Sequence, residues 1–153
     1  MARLPLCYQP FDGIGRVFCA SLDCASHPRE KPLMSHYVDS IVVPVPKAKL
    51  DAYKAMSARS GAIWKEHGAL QYWEAVADDV KPGKVTSFPQ AVQLKDDETV
   101  VVAWVVYASR AERDRIMEKV MADPRLADMM DPANLPFDGQ RMFWGGFESI
   151  VEL

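Results

Sequence analysis

The chain has 153 residues, 49% of them hydrophobic and 25% charged, with a net charge of −3. That balance excludes a disordered polymer, and the acidic surplus argues against nucleic acid as a partner. No run of eighteen uninterrupted apolar residues exists, so a membrane-spanning helix is excluded as well.

Residues 1–33 differ from the rest. They hold all three cysteines (Cys7, Cys19 and Cys24), four of the eleven prolines and no tryptophan. No helical or strand period persists there. Pro5, Pro10 and Asp12 interrupt the apolar run that a secretory signal needs. Gly13-Ile14-Gly15 begins a dinucleotide fingerprint but reaches Phe18 where the third glycine belongs. The cysteine spacing fits no zinc pattern. Residues 1–33 are therefore expected to be a disordered or weakly ordered extension, and residues 34–153 a single domain. A cytoplasmic location is expected, since residues 34–153 carry no cysteine to oxidise.

The domain opens with a β-rich segment, His36 to Val45, ended by Pro44 and Pro46. From Lys47 to His67, Leu50, Tyr53, Met56, Ile63 and Trp64 recur at helical spacing, and Gly68 supplies a C-terminal stop. Ala69 to Ala77 reads as a strand with Leu70, Tyr72, Glu74 and Val76 on one face and Gln71, Trp73, Ala75 and Ala77 on the other. A turn at Lys81–Lys84 leads to Ala91–Lys95, read as one arm of a hairpin, and Asp96-Asp97 turns the chain again. Val100 to Ala108 is apolar on both faces, as in a central strand covered on both sides. Ser109-Arg110-Ala111-Glu112 is a capping box for a helix carrying Ile116, Met117, Val120 and Met121. Asp123-Pro124 restarts a short helix through Met130, and Met142 to Val151 reads as the last strand. Gly145-Gly146 marks a bulge or a close backbone approach within it.

This order predicts an α+β chain with a ferredoxin-like βαββαβ sheet and an extra hairpin strand. Two helices cover one face of such a sheet. The other face, with half of the Val100–Tyr107 run, is left for a second copy packed sheet against sheet. The predicted assembly is a homodimer, a dimeric α+β barrel.

Several segments also carry a family resemblance. They are Met34–Asp39, Trp64–Leu70, Val76–Val80, Ala122–Arg125, Met129–Pro132, Pro136–Met142 and Gly145–Phe147. Together they resemble the YbaA-like family, a bacterial domain of unknown function, over essentially all of residues 34–153. The resemblance implies the dimeric α+β barrel superfamily and supplies no reaction. Such proteins typically begin near Met34, so residues 1–33 depart from the pattern and suggest an upstream extension or a true start near Met34.

Chemistry has few candidate carriers. Asp39 lies in an otherwise apolar strand: it is either a pocket acid or base, or half of an ion pair with a residue such as Arg141. Glu74 is a general base if its face lines the interior, and a rim residue otherwise. Tyr72, Trp73, Trp104 and Arg141 are the candidates for contacting a ligand, the aromatics alternatively serving core and dimer packing. His67 sits in the last turn of a helix, where a cation complements the helix dipole. Arg110, Arg113 and Arg115, interleaved with acids, read as a solvated helix face. No metal site and no cofactor is expected: His36 and His67 are far apart, and Asp78-Asp79 and Asp96-Asp97 read as turn residues. Two functions remain, a binding protein for a small organic molecule and a cofactor-free enzyme of monooxygenase or isomerase type.

Overall fold

The computed structural model describes residues 35–127, 129, 131 and 135–153, so the expectations for residues 1–33 lie outside it. Strand β1 spans Tyr37–Pro46. A short 3-10 turn, Lys47–Lys49, joins it to helix α1, Leu50–Glu66. The chain leaves α1 through Gly68, whose φ of +115° lies in the left-handed region that glycine adopts without a Cβ penalty. Strand β2 follows at Gln71–Val76.

The next segment departs from expectation. Phe88–Ala91 forms a short helix, α2, capped by Ser87, whose Oγ accepts from the Gln90 amide at 3.4 Å. Gln93 then turns at φ +49°, so Ala91–Lys95 is not a strand and the expected extra hairpin arm is absent from the sheet. The local signal was present as a Ser-x-x-Gln cap with proline in the first turn. Strand β3 runs Glu98–Tyr107, and helix α3, Arg110–Met121, starts at the anticipated cap with Glu112 N donating to Ser109 Oγ at 3.2 Å. Helix α4, Pro124–Ala127, and strand β4, Phe143–Glu148, complete the described elements.

The sheet order is β2-β3-β1-β4 with every neighbouring pair antiparallel. The β1–α1–β2 crossover passes over β3, and the β3–α3–β4 crossover passes over β1. That is the ferredoxin-like split βαβ arrangement.

The period of two along each strand decides what each face carries. The helix side holds Val43, Val45 and Val101 against Tyr53, and Val105 and Tyr107 against Ile63, Ile116, Val120 and Leu126. Gly146 is where the Tyr37 ring crosses β4, so a Cβ there would collide with it. The opposite side is covered at one end only, where Val92 and Leu94 pack over Val42 and Val100. Elsewhere on that side Trp73, Phe143 and Phe147 are 56%, 43% and 58% exposed, and Trp73 stacks on Trp104 with centroids 6.1 Å apart. An apolar face of this kind is uncommon on a monomer. Among the described residues, no helix is long and apolar enough to cross a membrane.

Candidate functional site

A cavity of about 200 Å³ lies between the sheet and helices α1 and α3. Its origin is local. Ala103 sits at the middle of β3, flanked by Ile41 on β1 and Glu74 on β2, and its methyl group leaves space that a larger residue would fill. The strand alternation aims Tyr72 and Glu74 to the helix side, with Asp39 and Ile41 alongside on β1. Helix α1 supplies Tyr53, Met56 and Trp64 from above. It carries Gly61 where the Tyr72 ring passes: an added Cβ would lie 2.6 Å from Tyr72 Cδ1.

Asp39 is buried, 5% exposed, and both of its oxygens are satisfied. Arg113 Nε donates to Oδ2 at 2.9 Å and to Oδ1 at 3.1 Å, and Tyr107 donates its hydroxyl to Oδ2 at 3.1 Å. Trp64 Nε1 donates in turn to the Tyr107 oxygen at 3.2 Å. The Arg113 guanidinium lies 5.9 Å from the Tyr37 ring centroid and 5.8 Å from that of Trp144, a cation between two π faces. The hydrogen bonds to Asp39 raise the Arg113 pKa further above its ordinary value. Burial, and after it the Asp39 charge, hold the Tyr107 hydroxyl well above the ordinary tyrosine range.

Glu74 is different. Its Oε1 accepts from the Tyr72 hydroxyl at 2.7 Å, and the Tyr53 hydroxyl approaches the same carboxylate, while buried Oε2 has no hydrogen bond of good geometry among the described residues. Burial, and after it the Glu74 carboxylate, push the Tyr53 and Tyr72 hydroxyls well above the ordinary tyrosine range, so both rings stay protonated and neutral. Glu74, Tyr53 and Tyr72 also border a larger, more open groove of about 460 Å³ between α1 and the β2 edge. The carboxylate thus stands on the wall between an outer groove and the inner cavity.

The remaining candidates fall elsewhere. Trp73 and Trp104 lie on the open sheet face, on the far side of the sheet from the cavity. Arg141 is not the partner of Asp39. It sits in the turn before β4 and clamps Glu98, with Nη1 to Oε2 at 2.7 Å and Nη2 to Oε1 at 2.5 Å. It also donates to Asp138 Oδ2 at 2.8 Å and to the Gln93 carbonyl at 3.0 Å. This pairing lowers the Glu98 pKa from 4.5 to about 2. Arg113 likewise corrects the reading of the α3 arginines as one solvated face, for its side chain is 18% exposed where that of Arg115 is 60% exposed. The signal was its spacing, since positions 113, 116, 117 and 120 form a single helical stripe. His67 Nε2 meets Asp123 Oδ2 at 3.0 Å, which ties the end of α1 to the start of α4. Among the described residues, no cluster of three or more His, Cys, Asp or Glu side chains is placed to hold a metal ion.

Comparison with known proteins adds the family. The YbaA protein of Escherichia coli K12 is 47% identical over 116 residues, covering 76% of this chain and 97% of that protein, and that of Shigella flexneri matches equally. Two solved structures share the fold. SnoaB of Streptomyces nogalater, a cofactor-independent oxygenase, aligns with a TM-score of 0.50 at 14% identity, over 77% of this chain and 96% of its own. A dimeric ferredoxin-like protein from an uncultured marine organism aligns with a TM-score of 0.51 at 10% identity, over 78% and 99%. At these identities the likeness is one of fold. Residues 36–139 match the model of a protein family of unknown function, DUF1428, and with the YbaA identity this shows that the chain belongs to that YbaA-like family.

Proposed function

We propose that the protein is a homodimer in which each subunit binds a small, mostly apolar organic molecule in the cavity beneath α1 and α3. The observation that carries this reading is Glu74 Oε2, a buried acceptor with no partner among the described residues, in a cavity otherwise walled by aromatic and methionine side chains. A buried polar atom without a partner is costly, and a bound molecule that donates to it removes the cost. Few polar groups converging in an apolar cavity is the usual character of a small-molecule site. The dimer is supported by the uncovered apolar sheet face and by the dimeric description of one fold neighbour.

A second reading has its own support. Glu74 Oε2 is also a free base positioned to take a proton from an acidic O–H or C–H of a bound molecule, and one fold neighbour is a cofactor-independent oxygenase. A thermal-shift screen of the full chain against small organic molecules tests the binding reading: a ligand that raises the melting temperature in proportion to its concentration supports it. A ligand whose effect survives filling the cavity by Ala103→Leu contradicts it. Hits incubated in D2O test the second reading, which requires a C–H signal to fade at a rate that Glu74→Gln abolishes.

A further inference from the structure

The two walls of the cavity solve the same problem differently. On one wall, Asp39 is neutralised by a cation, Arg113, which is held between the Tyr37 and Trp144 rings. On the other, Glu74 accepts from the Tyr72 hydroxyl and lines the cavity together with the rings of Tyr53, Tyr72 and Trp64, the last two with centroids 6.2 Å apart. This wall too combines a carboxylate oxygen with aromatic side chains, and among the described residues no cation accompanies them.

Among the described residues no cation fills the place. Among the described residues, Asp39 and Glu74 are the only charged ones that line the cavity, and no Lys, Arg or His lies within ion-pair reach of Glu74. Lys54 and Lys65 border the outer groove and not the inner cavity. Lys65 Nζ donates to the Leu70 carbonyl at 2.6 Å, and Lys54 lies 3.8 Å from Asp51. A buried carboxylate is stable when paired, and aromatic faces add attraction for the same partner.

We propose, resting on the reading of the cavity as a ligand site, that its ligand is a small organic cation: an ammonium group on a body of about one ring. The ammonium donates to Glu74 Oε2 and lies against the Tyr53 and Tyr72 rings, and the apolar body fills the space over Ala103. One ammonium N–H meets Oε2, the carboxylate's other oxygen being satisfied by Tyr72, and the positive charge offsets that of the acceptor-only carboxylate.

The test uses three molecules of one shape on the full chain by calorimetric titration: benzylamine (a cation at pH 7), benzyl alcohol and benzoate. The expected order is benzylamine at least tenfold tighter than benzyl alcohol, with benzoate not bound. Glu74→Gln, first shown to be folded by its thermal transition, loses the tenfold preference and keeps the weak affinity for the alcohol. Equal affinity for amine and alcohol overturns the cation and leaves the cavity reading standing. No binding by any of the three overturns the cation too, and the broader panel of the thermal-shift screen then decides the cavity. A preference for the amine that survives Glu74→Gln shows that the cation binds elsewhere.

Discussion

Arg113→Met removes the cation that α3 holds over the sheet while keeping most of the side chain's length. Asp39, 5% exposed, then retains one donor, the Tyr107 hydroxyl at 3.1 Å, where it had three contacts. Removing one partner of a buried ion pair costs about 3–5 kcal/mol, because the remaining charge is stranded. The lost stacking between Tyr37 and Trp144 adds roughly 0.5–1 kcal/mol. A loss of about 4 kcal/mol, with a urea m-value near ~2 kcal/mol per molar for a domain of this size, moves the unfolding midpoint down by about 2 M. The assay is urea unfolding at fixed protein concentration, since association shifts apparent stability. Arg115→Met is the control: its pair with Glu112 is exposed, and its loss is worth about 0–1 kcal/mol. The double variant Asp39→Asn with Arg113→Met recovers part of the deficit, because no charge is left buried. An Arg113→Met midpoint no lower than that of Arg115→Met would refute the assignment of Asp39 and Arg113 as a buried pair.

Three other outcomes follow from the same contacts. Gly61→Ala drives a methyl into the Tyr72 ring, and the displaced ring costs about 1–3 kcal/mol by overpacking, partly offset by alanine's helix propensity; thermal unfolding reads the net loss, and a gain in stability refutes the close approach. Trp104→Glu places a charge on the open sheet face, so the proposed dimer requires that sedimentation equilibrium at micromolar concentration give the two-subunit mass for wild type and the one-subunit mass for the variant; equal masses for the two refute association through this face. Glu98, whose pKa falls from 4.5 to about 2 when folded, stabilises the fold above pH 4.5, and that contribution is lost as pH falls toward 2. The stability difference between wild type and Arg141→Leu therefore narrows across that range, and a constant difference refutes the coupling.

What could be read in the residues divides along physical lines. Strands β1 and β3 were legible because their apolar runs are long and bounded by proline or a capping box. The face shared by Tyr72 and Glu74 followed from strand alternation alone. The open sheet face followed from counting helices against strands. Missed features depended on tertiary context. The segment 91–95 looks extended by composition, but the Ser87 cap and a left-handed Gln93 curl it over Val42 and Val100. The sequence allows an Asp39–Arg141 pair because Arg141 directly precedes the expected last strand. The turn that holds Arg141 instead brings it to Glu98, while Asp39 finds Arg113 one layer above the sheet. Tyr53, Trp64 and Tyr107 read as core positions, which they are. Their part in the cavity depends on the small side chain at Ala103, and that effect exists only once β1, β2 and β3 lie side by side.

The proposed ligand site lies beneath the helices rather than on the open sheet face. The four tryptophans report the two sides separately. Trp64 and Trp144 border the cavity, and Trp73 and Trp104 lie on the opposite face. An amide and indole NMR titration of the full chain with a molecule found to bind reads all four indole N–H signals at once. Binding in the cavity moves the Trp64 and Trp144 signals together while those of Trp73 and Trp104 hold still. Movement of the Trp73 and Trp104 signals with Trp64 and Trp144 unmoved would contradict it.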